Sequence, residues 1–317
     1  MLFRSEPAFP ESEFEQLRNQ TITSIQAQLA EPNARASEAL SRHFNAYPKG
    51  DWRYAPTLEE SIEAVKAAKL DDVKRFHREF YGAGVAEIAI VGDFDEARVA
   101  ALVQELFAGW KAQKPWARVP VQHGNVAAAN LSIATPDKEN AILLARQNLD
   151  LRDDDPDYPA LFVADYILGG GAGLDSRLAM RLRQKDGLSY AAGSGLNVPA
   201  VDRSASWSVY AIAAPANIAK AEAAMKEELA RALAEGFTEA ELAAAKSGTL
   251  QTRLQTRAQD GALAGGWAFS LHHDRPFAFS KAFEDRLQAL TLAEVNAAVR
   301  KHLDPARLTI VKAGDFK

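Results

Sequence analysis

Two hydrogen-bond donors stand out for their types and spacing: Arg183 and Tyr190. They lie in the run Ser176-Arg177-Leu178, Arg181-Leu182-Arg183-Gln184-Lys185-Asp186-Gly187-Leu188-Ser189-Tyr190. A guanidinium stays charged and donates through a rigid fork, which suits it to gripping carbonyl oxygens. A phenol adds one directed donor. The run leaves a helix end, passes a glycine turn at Asp186-Gly187 and enters a strand, so the turn can bring both side chains to one surface. An isolated pair of this spacing also reads more plainly. Arg183 would be a helix-terminal cation favouring the dipole, and Tyr190 an ordinary strand aromatic.

Other chemistries are poorly supplied. The chain has no cysteine, which removes thiolate metal sites, disulfides and cysteine nucleophiles. Its six histidines are His43, His77, His123, His272, His273 and His302, and none forms an H-x-x-E-H or H-E-x-x-H pair. His77-Arg78-Glu79-Phe80-Tyr81 comes nearest, with its glutamate misplaced and no second histidine. Adjacent side chains on a helix point about 100° apart, so His272-His273 reads as a solvated helix end, closed by Asp274-Arg275-Pro276. The glycine run 169–173 lacks the Gly-Lys-Ser/Thr ending of a phosphate loop and follows a helix. It reads as a turn that lets helix and loop pass closely, with a minor peptide contact as the alternative. Asp153-Asp154-Asp155 has the charge of a calcium loop but not its spaced ligands, and acidic residues are expected at a helix start.

The elements that must position Arg183 and Tyr190 show a repeat. Residues 70–94 match residues 292–316 without a gap, at a constant offset of 222. Leu70, Val73, Arg78, Ile88, Gly92, Asp93 and Phe94 face Leu292, Val295, Arg300, Ile310, Gly314, Asp315 and Phe316. Each copy reads as helix, loop, apolar strand and Gly-Asp-Phe stop, and the upstream segments at Phe9 and Phe237 also resemble each other. A repeat this long is a lobe rather than a solenoid module. Within its own lobe the second copy has about a hundred residues in front of Phe237, whereas the first has only eight in front of Phe9, so the chain reads as a lobe and a half.

Periodicity predicts helices over 12–29, 34–44, 71–80 and 96–108, a helix capped by Thr57, and a strand over 86–91. The Lys114–Pro120 stretch and Gln122-His123-Gly124-Asn125 mark a linker. Beyond it, strands are expected over 131–135, 141–149, 190–196, 206–213 and 308–313, and helices over 156–168, 175–184, 216–235, 239–259, 262–271 and 292–302. The order predicts an α+β class: two-layer lobes, each a largely antiparallel sheet covered by helices. The divisions expected are 1–112 as the C-terminal part of a truncated first lobe, 113–128 as linker, and 129–317 as a complete lobe.

A net charge of −5 with both signs interspersed offers no basic footprint for nucleic acid or anionic membrane. No run approaches a membrane span, and the first residues do not read as a signal peptide.

Taken together, Thr135-Pro136-Asp137-Lys138, Asp154-Asp155-Pro156-Asp157-Tyr158, Leu168-Gly169-Gly170-Gly171, Ser176-Arg177-Leu178 and the Arg183/Tyr190 pair resemble the C-terminal, non-catalytic lobes of the pitrilysin/insulinase-type (M16, inverzincin) zinc metallopeptidases. The resemblance implies a lobe that closes a chamber over extended peptides. In it Arg183 and Tyr190 would be substrate-binding, holding the peptide at the scissile bond, with no catalytic or metal-binding residue in this chain. Zinc is then expected in a catalytic lobe carrying H-x-x-E-H, which by the repeat falls before Met1. The equivalent stretch here, 156–168, has no such motif. The partners implied are a peptide substrate and a zinc-bearing M16 lobe, in the same full-length chain or in a partner subunit, with a homo-oligomer also open. The chain would be inactive alone. The family suggests a periplasmic setting. A non-peptidase scaffold of the same fold, like some respiratory-complex core subunits, is the remaining alternative.

Overall fold

The computed structural model describes residues 5–171 and 175–316. Its elements in chain order are helices α1 (Glu11–Gln28), α2 (Pro32–His43), α3 (Leu58–Ala67), α4 (Leu70–Phe80) and α5 (Glu96–Phe107); strands β1 (Asn130–Ala134) and β2 (Ala141–Leu149); α6 (Tyr158–Asp165, continued by the π-helical turn Tyr166–Gly170); α7 (Arg177–Ala179, continued by the π-helical turn Met180–Lys185); β3 (Ser189–Asn197) and β4 (Ala205–Ala213); α8 (Ile218–Glu235), α9 (Glu239–Arg257), α10 (Asp260–His272), α11 (Phe277–Ala289), α12 (Leu292–His302) and β5 (Thr309–Gly314). None of these helices is long and apolar enough to cross a membrane.

The chain forms two compact units that are not consecutive blocks. One comprises Met1–Gln26, Glu59–Val119 and Thr252–Phe279, the other Ala27–Leu58, Pro120–Gln251 and Ser280–Lys317. Segment 27–58 therefore belongs with the sheet-bearing unit rather than with the rest of 1–112, and 252–279 leaves the 129–317 block.

The second unit is built on a five-stranded sheet of order β1-β5-β2-β4-β3. Only β1 and β5 run parallel; the other neighbours are antiparallel. The α+β class is therefore as expected. Period-two patterning decides which face each residue takes. Along β2, Ala141, Leu143, Ala145 and Leu149 enter the main core with Trp207, Val209, Leu161, Met225 and Val295. Ile142 and Leu144 turn to the opposite face, where Ala36, Ala39 and Leu40 of α2 cover them. That placement draws α2 into this unit and adds one helix to the face left open by the expected two layers. Gln147 is buried, and both ends of its amide are hydrogen-bonded. Its Nε2 donates to the His302 carbonyl at 2.7 Å and its Oε1 accepts from the Asp304 N–H at 2.9 Å, fastening the end of α12 to β2.

The repeat is half preserved. Helices α4 and α12 have identical bounds at the offset of 222. The apolar residues 308–313 fall largely in β5, but 86–91 form no strand. The expectation of a strand there fails because no neighbouring strand pairs with it among the described residues. Helix α11 was not anticipated: Pro276 marks the break after His272-His273, yet the chain resumes as helix at Phe277.

Helix α12 also has a cap that its counterpart lacks. Thr291 Oγ1 accepts from the Glu294 N–H at 3.3 Å while Glu294 accepts from the Thr291 N–H at 2.8 Å. Lys69, at the same place before α4, caps nothing with its side chain. The Arg286 guanidinium, then Thr291, hold the Glu294 carboxyl down at about 2. A depressed carboxylate contributes stability above its unfolded pKa and loses it as pH falls through the folded one. Thr291→Ala is expected to cost about 1 kcal/mol. Urea denaturation checks this, and the acid-side loss below the ordinary glutamate pKa of 4.5 should be shallower in Glu294→Gln.

Candidate functional site

Arg183 and Tyr190 leave from one closed turn in the second unit. The Leu188 N–H donates to the Leu182 carbonyl at 2.8 Å, and the Asp186 N–H to the Arg181 carbonyl at 3.1 Å. Gly187 takes a left-handed φ of 60°, as the reversal requires. Arg183 lies in the π-helical turn before the reversal and Tyr190 in β3 after it.

Local packing separates Arg183 from its neighbours. Arg177 spans Glu241 (2.6 Å and 2.8 Å) and the Gly236 carbonyl, with its guanidinium over the Phe237 ring. Arg181 is held by Asp186 at 2.7 Å and Glu227 at 2.8 Å. Arg183 is exposed and makes no hydrogen bond or ion pair among the described residues. Of these three arginines, two are structural and one is uncommitted.

Tyr190 is set out by an irregularity in the sheet. Ser189 pairs with Ala213 and Ala191 with Ile212, leaving Tyr190 as the extra residue of a β-bulge. Bulges re-aim a side chain at a sheet edge, and β3 is an edge strand. The Ser189 hydroxyl fixes the bulge, lying 2.7 Å from the carbonyls of both Ala191 and Ile212 as donor. Tyr190 is 67% exposed, and its hydroxyl has no partner among the described residues. Sequence reading missed Ser189: a serine before a strand aromatic carries no signal until the register is known.

Behind the bulge, α6 runs down onto β3. Asp165 Oδ1 accepts from Trp207 Nε1 at 2.8 Å and from Ser194 Oγ at 2.6 Å, tying helix to β3 and β4. Burial pushes the Asp165 carboxyl above the ordinary aspartate value, and the Ser194, Trp207 and Leu196 hydrogen bonds pull it partly back. A raised carboxyl costs stability as pH climbs through its folded pKa. Asp165→Asn keeps an acceptor and should lose that neutral-pH penalty. Asp165→Ala leaves the indole N–H unpaired, at about 1–3 kcal/mol. Denaturant midpoints at acid and neutral pH distinguish the two. Gly169 and Gly170, expected in a turn, instead close the helix; Ala172 and Gly173 lie outside the described residues.

No group of three or more potential metal ligands occurs among the described residues. His272 ends α10 and pairs with Glu87, while His273 Nδ1 lies 2.7 Å from the Phe269 carbonyl, so the two rings are engaged separately. Asp154 and Asp155 face Arg152 and Arg203, an ion-pair network rather than a cation loop.

Residues 67–249 match the family model described as the peptidase M16 inactive domain, over more than half of the chain. The chain belongs to the M16 peptidase family, as an inactive domain. It is 28% identical over 276 residues to an uncharacterised zinc protease of Mycobacterium leprae, covering 84% of this chain and 59% of that protein. The M16 chain thus spans about three fifths of this relative's length. A solved M16 inactive domain from Pseudomonas fluorescens superposes with a TM-score of 0.80 at 26% identity, over 98% of this chain and 71% of that one. The periplasmic protease PqqL of Escherichia coli shares the fold at a TM-score of 0.71 and 17% identity, over 95% of this chain and 32% of that protein.

Proposed function

We propose that this M16 chain closes a peptide chamber against a zinc-bearing M16 lobe and presents Arg183 and Tyr190 to an extended peptide at the scissile bond. The observation that carries the reading is the closed 182–188 turn with an uncommitted guanidinium on its entering limb and a bulged, exposed phenol after it. Arg183 donates to peptide carbonyls. Tyr190 donates to the scissile carbonyl oxygen as it gains negative charge. Among the described residues there is no group of three or more potential metal ligands. The reading assigns the metal to the partner lobe, and none of the roles given to this chain passes through it.

The test supplies that lobe. The purified M16 chain alone should hold well under one zinc per molecule by metal analysis and cleave no peptide. Adding a zinc-bearing M16 lobe should give cleavage that depends on Arg183 and Tyr190. Peptide binding and cleavage indifferent to both would leave a structural scaffold of the same fold.

A further inference from the structure

We propose that the cleft beside α2 binds a short, extended, apolar peptide with both ends free, its terminal carboxylate on Arg146 and its terminal ammonium at Glu139. The cleft lies wholly in the second unit, and the proposal does not depend on the function proposed above. Its floor is the sheet face turned away from the main core. There Ile142 pairs with Ile212, Leu144 with Tyr210 and Arg146 with Ser208, so the period of two sets all six on one face. Helix α2 covers β5 and β2 on that face. Beside it stays a cleft of about 670 Å³, lined by Pro32, Asn33, Leu40, Leu144, Tyr210 and Ile212. That is an ordinary volume for a ligand site.

The two ends of this floor carry opposite charge. At one end Arg146 is half-buried. Its Nε donates to Asn148 Oδ1 at 3.1 Å, and its guanidinium lies 4.7 Å from the centre of the Phe44 ring at the C-terminal end of α2. Neither contact neutralises it, and no carboxylate pairs with it among the described residues. Burial alone holds its pKa below the ordinary arginine value. Its two terminal nitrogens are left to donate, in the planar fork that matches a carboxylate. At the other end Glu139 is exposed, pairs with no cation among the described residues, and lines the cleft with Asn33 and Asn140. The nearby Glu31 is already taken by Lys138 at 2.8 Å.

A partly desolvated cation without a counter-ion costs free energy, and an incoming carboxylate offsets that cost. The span says what else the ligand carries. From Ala141, at the acidic end, to Arg146, β2 runs about 17 Å at about 3.4 Å per residue. An extended chain of about five residues covers that distance. A fatty acid offers an anion to Arg146 and nothing to Glu139, and a small anion leaves the apolar floor bare. A short apolar peptide with free ends answers all three features.

The test is calorimetric titration of the full chain with the pentapeptide Leu-Ala-Val-Ala-Leu, used with both ends free, as its C-terminal amide and as its N-acetyl form. The free-ended peptide should bind. Amidation should weaken binding by about tenfold or more, the weight of a charged hydrogen bond in a partly buried setting. Acetylation should weaken it by a smaller factor, because Glu139 is exposed. Arg146→Gln should weaken binding of the free acid as amidation does and make amidation indifferent. Glu139→Gln, at an exposed position, should make acetylation indifferent. The modified peptides read the same contacts on the unaltered chain, so the result does not hinge on how a variant folds. Absence of binding at millimolar peptide overturns the proposal, as does binding that ignores amidation. Affinity kept in Arg146→Gln but lost in Arg183→Ala also overturns it and seats the peptide at the 182–188 turn. Self-association of the chain that Arg146→Gln abolishes overturns it in favour of a second copy. Binding that follows amidation and Arg146, beside cleavage indifferent to Arg183 and Tyr190, supports this site and sinks the proposed function alone.

Discussion

With a zinc-bearing M16 lobe present, Tyr190→Phe is expected to lower kcat by about 10²–10³, the usual loss when one donor to a developing oxyanion is removed. Arg183→Ala should fall by a comparable factor, with part of the loss in KM, because a guanidinium on backbone carbonyls binds ground state and transition state alike. Neither change should move the denaturant midpoint of the isolated chain. Both side chains are exposed and make no hydrogen bond among the described residues, so their removal deletes no packing or ion pair. Arg181→Ala is the control of opposite character: it breaks contacts to Asp186 and Glu227 and should perturb the turn more than the chemistry. Arg183→Lys adds a further distinction. A lysine restores charge but not the fork, so bidentate gripping predicts poor rescue. Steady-state kinetics on the reconstituted enzyme, with urea denaturation of each free variant, decide the matter. Wild-type kcat in both Tyr190→Phe and Arg183→Ala would reduce the pair to a helix-end cation and a strand aromatic.

Much of this arrangement was legible because it is written in local patterns. The alternation Ala141, Leu143, Ala145 against Ile142, Leu144 fixes a strand and its two faces. The helices expected over 71–80 and 292–302 appear as α4 and α12, whose bounds match each other at the offset of the repeat. The strand over 86–91 was misread for a physical reason: a strand is completed by its neighbours, and an apolar run specifies only willingness to pair. The same holds for α2, whose assignment to the sheet-bearing unit depends on Ala36 meeting Val311 and Ala313 far along the chain. The site divides similarly. The types Arg183 and Tyr190 could be singled out from sequence, and the family resemblance gave them a role. That Arg177 is already occupied could not be seen, because Glu241 lies tens of residues away, and of the two partners of Arg181 only Asp186 is near in sequence. The bulge at Tyr190 is a fact of register, visible only once Ser189 and Ala191 are paired to β4.

The platform that aims Tyr190 should fail through one glycine. A Cβ on Gly169 would lie 2.3 Å from the Ser194 nitrogen and 2.8 Å from the Gly193 carbonyl carbon, both backbone atoms of β3. Gly193 answers from the other side: its own Cβ would meet the Gly169 carbonyl at 3.0 Å. Helix end and edge strand therefore approach backbone to backbone, and the one side-chain atom near the same point, the Ser194 hydroxyl at 2.8 Å, is itself held by Asp165. Gly169→Val must lift the π-helical turn Tyr166–Gly170 off β3 or push the edge strand outward. Either movement strains the Asp165 contacts to Ser194 and Trp207. Overpacking of a filled site costs about 1–3 kcal/mol and more where only backbone can yield, so a loss at or above the top of that range is expected. Gly195→Ala, two residues along the same strand, meets only the Ser208 hydroxyl at 3.7 Å and should be nearly neutral. Because β3 also carries Tyr190, Gly169→Val in the reconstituted enzyme should lose kcat as well as stability, whereas Tyr190→Phe loses kcat alone. If Gly169→Val and Gly195→Ala unfold at the same urea concentration, the close approach of helix and edge strand does not hold the site in place.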